Sequence, residues 1–202
     1  MIKLLALIVA YIRKLMALYH KIAKNMCTIS RAITKRGFVM ALDEVTIVRG
    51  AEGDWLDLTG KVPGSEGVSI KLHRADEESG RVVLAAKFAP NSRMPRHVHH
   101  CTAFAYTVSG SWSYDEGTFY AGDMAIESLG NNHLPWSDEG TEMVICFDSP
   151  SGQYLDNQLD DGTCFHMGMP LFKQIVGMSA ADWADFNILA HVEFLPEMRK
   201  AA

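Results

Sequence analysis

From Asp43 onward the chain is interrupted by Gly, Pro, Asn or Asp every ten residues or so, and this punctuation constrains the fold more than any other feature. Between the breaks lie short runs rich in Val, Ile, Phe and Tyr: Val45–Val48, Val68–His73, Arg81–Phe88, Ala103–Val108, Ser111–Tyr114, Met124–Ser128 and Glu142–Phe147. Such runs are too short for amphipathic helices and suit strands. Ser109-Gly110, Glu116-Gly117 and Ala121-Gly122-Asp123 read as tight turns. Many short strands with frequent turns predict an all-β sandwich or small barrel. No strand–helix alternation is visible, which excludes a doubly wound parallel sheet. At the end of the chain, Ser179 before Ala180-Ala181-Asp182-Trp183 reads as an N-cap with an acid in the first turn. A C-terminal helix of about three turns is expected there, burying Trp183, Phe186, Ile188 and Leu189.

Charge divides the chain in the same place. Residues 1–42 carry eight basic side chains and no acidic one, whereas residues 43–202 hold 11 bases and 24 acids, a balance of −13. The domain reading is therefore a basic helical leader over residues 1–42, a barrel over 43–175, and a C-terminal helix packed on it over 176–202. The leader's apolar run Leu4–Ile12 is broken by Arg13-Lys14 and is shorter than a membrane span. Three readings of it stand: an over-extended start ahead of Met40, a targeting or membrane-surface segment, or an ordinary packed helix. Membrane contact is expected only through residues 1–25. The acidic body lacks the basic patch that nucleic acid requires. With 48% hydrophobic and 21% charged residues the chain is not disordered. Four scattered cysteines without a CxxC pair fit a reducing compartment, so a cytoplasmic location is expected.

The histidines carry the chemistry. His97 and His99 are two apart in Pro95-Arg96-His97-Val98-His99-His100, so on a strand they share one face, about 7 Å apart along the chain. A run opening at Gly122 ends at His133. A third imidazole from a neighbouring strand completes a facial ligand set with open positions. His100 has the opposite parity and reads as a rim or core residue, while Cys101 offers a soft fourth ligand. His20, His73, His166 and His191 receive no role.

These residues resemble the cupins. The first cupin motif, Gly-x5-His-x-His-x3–4-Glu-x6-Gly, is matched by His97, His99 and Gly110; the second, Gly-x5-Pro-x-Gly-x2-His-x3-Asn, by Gly122, Gly130 and His133. The resemblance implies a jelly-roll β-barrel. It also shows departures: Asn91 stands for the opening Gly, Ser128 for the Pro, Ser137 for the Asn, and Ala103 for the ligand glutamate. What remains is a three-histidine site with Ala103, Ala105 and Thr107 on the ligand-bearing face. A neutral ligand set leaves a divalent ion its full charge, which favours an anionic chelating oxygen ligand.

Within cupins this pattern is similar to two Fe(II) dioxygenase types. Glu127 through His133 looks like the acetylacetone-cleaving type, and His97 through Tyr106 to Trp112 looks like the 2,4'-dihydroxyacetophenone type. Both imply O2-dependent cleavage of a C–C bond next to a carbonyl. By that resemblance His97, His99 and His133 hold Fe(II), Glu127 is the catalytic-site carboxylate partnering one of them, and Tyr106, Ala103 and Trp136 face a β-diketone or hydroxyaryl-ketone substrate. The alternative is a zinc cupin sensor similar to anti-sigma-factor domains, on the stretch Asn132 to Gly140; imidazole ligands suit Zn(II) or another divalent metal equally. Family analogy also implies a homodimer paired through edge strands.

Overall fold

Among residues 47–200, which the computed structural model describes, the punctuated runs become strands that all pair antiparallel. In chain order these are β1 (Leu56–Asp57), β2 (Val68–Asp76), β3 (Arg81–Phe88), β4 (Ser92–Arg93), β5 (Arg96–His99), β6 (Thr102–Tyr114), β7 (Gly117–Tyr120), β8 (Met124–Glu127), β9 (Asn132–His133), β10 (Trp136–Ser137), β11 (Thr141–Asp148), β12 (Gln153–Gln158), β13 (Cys164–Gly168) and β14 (Glu193–Leu195). A nine-stranded sheet runs β1-β2-β3-β11-β6-β10-β4, with β7 and β8 also paired to β6, and a five-stranded sheet runs β14-β13-β12-β5-β9. The two curl around one core as the expected jelly-roll barrel. Two helices, α1 (Met169–Ile175) and α2 (Ala180–Asp185), follow β13. Among the described residues no helix is long and apolar enough to cross a membrane. The basic leader over 1–42, and Val45 and Thr46 of the first expected strand, lie outside the described residues; Ile47 and Val48 form no strand.

The sheet that carries the site follows from alternation. Along β6, Ala103, Ala105 and Thr107 point inward and are buried, while Phe104, Tyr106 and Val108 point outward. Thr107 is tolerated inside because its Oγ1 accepts a hydrogen bond from Trp112 Nε1–H at 2.9 Å. The expected turn at Ser109-Gly110 is absent. β6 runs through it as one 13-residue strand, with a register shift against β11 between Glu142 and Met143. The burial parity inverts there, so that Trp112 and Tyr114 become the inward residues. Gly110 makes this possible: its φ is 71°, and a Cβ there would meet the Gly140 carbonyl oxygen at 2.0 Å. Gly110→Ala is therefore expected to destabilise the barrel by about 3 kcal/mol, combining left-handed strain with a backbone clash. Urea unfolding of the variant measures this.

The smaller sheet was less legible. β12 and β13 are buried on both faces, and their sequences QYLDNQ and CFHMG hide polar Asp156, Asn157 and His166 inside. Neither run shows the alternation that marks a half-exposed strand. The C-terminal helix is present but shorter than expected. Ser179 caps α2 with a reciprocal capping box to Asp182, yet the helix ends after six residues, where Phe186 turns extended. Phe186 stacks between Trp183 at 5.6 Å and His191 at 4.7 Å. A 3-10 turn over Ile188–His191 then buries Ile188. α1, unexpected from the sequence, packs Leu171, Phe172 and Ile175 into the core.

Candidate metal centre

β5 and β9 are neighbours, and their register makes His97 and His133 direct cross-strand partners. His99 lies two residues along β5 on the same face. The three rings therefore meet: His133 Nε2 is 2.8 Å from His97 Nε2 and 3.2 Å from His99 Nε2. All three residues are buried. His97 Nδ1–H donates to the Pro95 carbonyl at 2.9 Å, which leaves its Nε2 lone pair facing the other two imidazoles.

Burial pushes the His97 imidazole down to about 4. Burial, then the neighbouring His97 and Arg96, pushes His133 down to about 3. His99 lies well below its ordinary value for the same reason, with the other imidazoles adding to the effect of burial. Near neutral pH the trio is uncharged, so each ring has one nitrogen lone pair to offer. A cation between the three nitrogens would take up all three, and the residues present fit one. Among the described residues, these three form the group of His, Cys, Asp or Glu whose ligand atoms lie within 4.8 Å of one another.

The carboxylate missing from β6 returns from the next strand. Ala103 and Glu127 are cross-strand partners on β6 and β8, so Glu127 enters the space that a longer side chain at Ala103 would use. Its Oε1 is 3.5 Å from His133 Nδ1 and its Oε2 is 3.6 Å from His99 Nε2. Burial raises the Glu127 carboxyl to about 7. His133 Nδ1 is buried and makes no hydrogen bond, so Glu127 is the acceptor nearest to hand for its proton. Cys101 does not take a ligand position. Its Sγ lies 3.9 Å from His99 Nδ1, on the side of that ring away from the converging nitrogens, and burial pushes the thiol far up.

The histidines line a cavity of about 100 Å³. Its wall is otherwise apolar, including Leu84, Ala105, Met143, Phe147 and Phe172, with Glu127 and Asn157 as the further polar members. Asn157 was not singled out from the sequence. It is the β12 partner of His97, and only that pairing brings it to the site. The three residues expected to face substrate do not line this cavity. Tyr106 lies on the outward face of β6, 44% exposed. Ala103 is fully buried beside Glu127, and Trp136 on β10 pairs with Arg93 and Ser113.

His100 turns to the other side of β5, into a second polar cluster. There Asp156 is fully buried and accepts from His166 Nδ1–H at 2.7 Å and from Arg199 Nη2–H and Nε–H at 2.7 and 2.8 Å. His100 Nε2 is 3.0 Å from Asp156 Oδ2 but off the hydrogen-bond direction.

Comparison with known proteins agrees with the fold. The ChrR cupin-like domain family matches residues 44–151. A search of curated proteins finds no match. Among solved structures, a Ralstonia eutropha protein of unknown function with a cupin-like fold aligns at a TM-score of 0.53 and 24% identity, covering 79% of this chain and 95% of that one. An RmlC-like cupin from the same organism gives 0.51 and 24%, covering 62% and 79%. A proposed acetylacetone dioxygenase from Methylibium petroleiphilum gives 0.50 and 20%, covering 59% and 85%. At these identities the likeness is one of fold.

Proposed function

The chain belongs to the ChrR cupin-like domain family, and from that premise we propose that it is a mononuclear non-haem Fe(II) dioxygenase cleaving a C–C bond next to a carbonyl, in a β-diketone or hydroxyaryl ketone. The observation that carries the reading is the neutral trio of His97, His99 and His133 in the wall of an otherwise largely apolar cavity. A bound Fe(II) supplies Lewis acidity toward an enolate and the electrons that activate O2. The chain supplies the rest. The Pro95 carbonyl holds His97 in the tautomer with Nε2 free. Glu127, with Oε1 3.5 Å from His133 Nδ1, is the group placed to accept that ring's Nδ1 proton once the three imidazoles hold a metal. The apolar wall excludes water and accepts the substrate's carbon skeleton, leaving its oxygens for the metal held by the three histidines. The reaction joins one O2 to one substrate and yields a carboxylic acid and a second carbonyl product, each with one atom of that O2.

The second reading, a zinc-holding sensor without turnover, rests on the resemblance of Asn132 to Gly140 to anti-sigma-factor cupin domains. Metal analysis of protein purified anaerobically, followed by an oxygen-electrode screen of β-diketones and hydroxyaryl ketones, separates the two. One iron per chain with ketone-dependent oxygen uptake is expected. Tight zinc and no uptake with any ketone would reject the dioxygenase. Glu127→Gln keeps the shape of the side chain and replaces the carboxyl beside His133 Nδ1 with a group that cannot ionise. It is expected to weaken Fe(II) binding about 10- to 100-fold, read by chelator competition without any turnover.

A further inference from the structure

An antiparallel sheet with one face on the core ordinarily presents polar residues on the other. The large sheet does this only in part. The outer side of β2 and β3 is covered by the chain's own segment Gly50–Trp55. Lys71 Nζ donates to the carbonyls of Gly50 and Glu52 at 3.0 and 3.1 Å. The Trp55 ring lies 5.0 Å from the Lys71 ammonium and 4.6 Å from that of Lys87.

That cover stops short of β11, β6 and β8. Between the charged ends of β11, Glu142 and Asp148, their outer side carries Val144, then Phe104, Tyr106 and Val108, then Met124 and Ile126. These six are apolar and between 38% and 65% exposed. Register makes them one patch: Phe104 faces Ile126, and Tyr106 lies between Met124 and Val144. Six large, roughly half-exposed side chains present on the order of 500 Å² of apolar surface, near the upper limit for the largest patch of a monomer.

We propose that this face is the contact between two copies of the chain, packed sheet against sheet. Charge favours a second copy over a charged partner. The body carries a net balance of −13, yet the patch itself holds no charge, and the outward acids of β11, Glu142 and Asp148, lie at its ends. Beside the patch, β3 and β11 end in two ion pairs, Arg81–Asp148 at 3.8 Å and Lys87–Glu142 at 3.6 Å. Each end is neutral and offers both signs, so a two-fold-related copy meets opposite charge without a like-charge block. The size also suits: a patch of this area forms the apolar centre of a standard interface of about 800 Å² per partner. The contact uses the sheet face, and the edge strands stay free.

Light scattering on the full-length chain is expected to give twice 22.4 kDa at micromolar concentration. Ile126→Lys combined with Val144→Lys places two charges at the centre of the contact and is expected to raise the dimer dissociation constant about 100-fold or more. Circular dichroism and metal content should stay unchanged, because both side chains point away from the core; Val108→Lys provides an independent second variant. A monomeric wild type would overturn the proposal, whether hydrogen exchange then found the face protected by residues 1–46 or open. A dimer that both variants leave intact would overturn it equally.

Discussion

Replacing His133 with alanine is expected to remove the metal from the protein and all ketone-dependent oxygen uptake with it. The site has three ligand atoms and no carboxylate among them, so loss of one imidazole leaves two, both on β5. The loss of affinity should exceed the roughly 10- to 100-fold that removal of an outer partner causes. The fold should survive. His133 lies on the two-residue strand β9, and without metal its removal relieves the convergence of Nε2 atoms at 2.8 and 3.2 Å. Metal analysis, chelator competition and an oxygen electrode together check the prediction. Full oxygen consumption by a metal-free variant would end the dioxygenase account.

The second large effect is structural. Asp156→Ala is expected to destabilise the protein by about 3 kcal/mol, the lower part of the range for removing one partner from a buried charge pair. It leaves buried His166 unpaired, while the Arg199 head, 39% exposed, can rehydrate. The same cluster sets a pH dependence. Burial alone would raise the Asp156 carboxyl, but hydrogen bonds from Arg199 and His166 outweigh it and hold the group well below the usual carboxylate range. A folded-state value below the unfolded one means that the unfolded chain binds more protons in between. The stabilisation is therefore complete above the ordinary carboxylate range of about 4 and disappears as pH falls toward the folded value. Urea midpoints of wild type and variant should converge as pH drops through that window. A constant gap down to strongly acidic pH would contradict this.

Much of the fold was legible because the strands of the large sheet are short apolar runs bounded by turn residues or charges. β3 was read to its ends, and β8 and β11 to within a residue of theirs, for that reason. The reading failed where local signals carry tertiary meaning. Ser109-Gly110 has the composition of a turn, yet it serves as a bulge because the backbone of Gly140 packs against it. β12 reads as polar because it carries Asp156 and Asn157, and the partner that lets Asp156 be buried, Arg199, is distant in sequence.

The site divides in the same way. The histidine trio follows from strand period and motif spacing. Asn157 follows from the pairing of β12 with β5, and the placing of Glu127 opposite Ala103 from the pairing of β8 with β6; neither register is written locally. Tyr106 was expected in the substrate wall, but it shares outward parity with Phe104 and Val108, and its neighbour Ala105 is the residue that lines the cavity.

Labelling with ¹⁸O2 tests the central claim most directly. The Fe(II) protein, given a β-diketone or hydroxyaryl ketone that supports oxygen uptake, should place one labelled atom in the carboxylic acid. The other should appear in the carbonyl product, trapped by reduction before exchange with water. Cleavage that leaves both products unlabelled, with both oxygens drawn from water and substrate, would contradict the account and make the three-histidine centre hydrolytic.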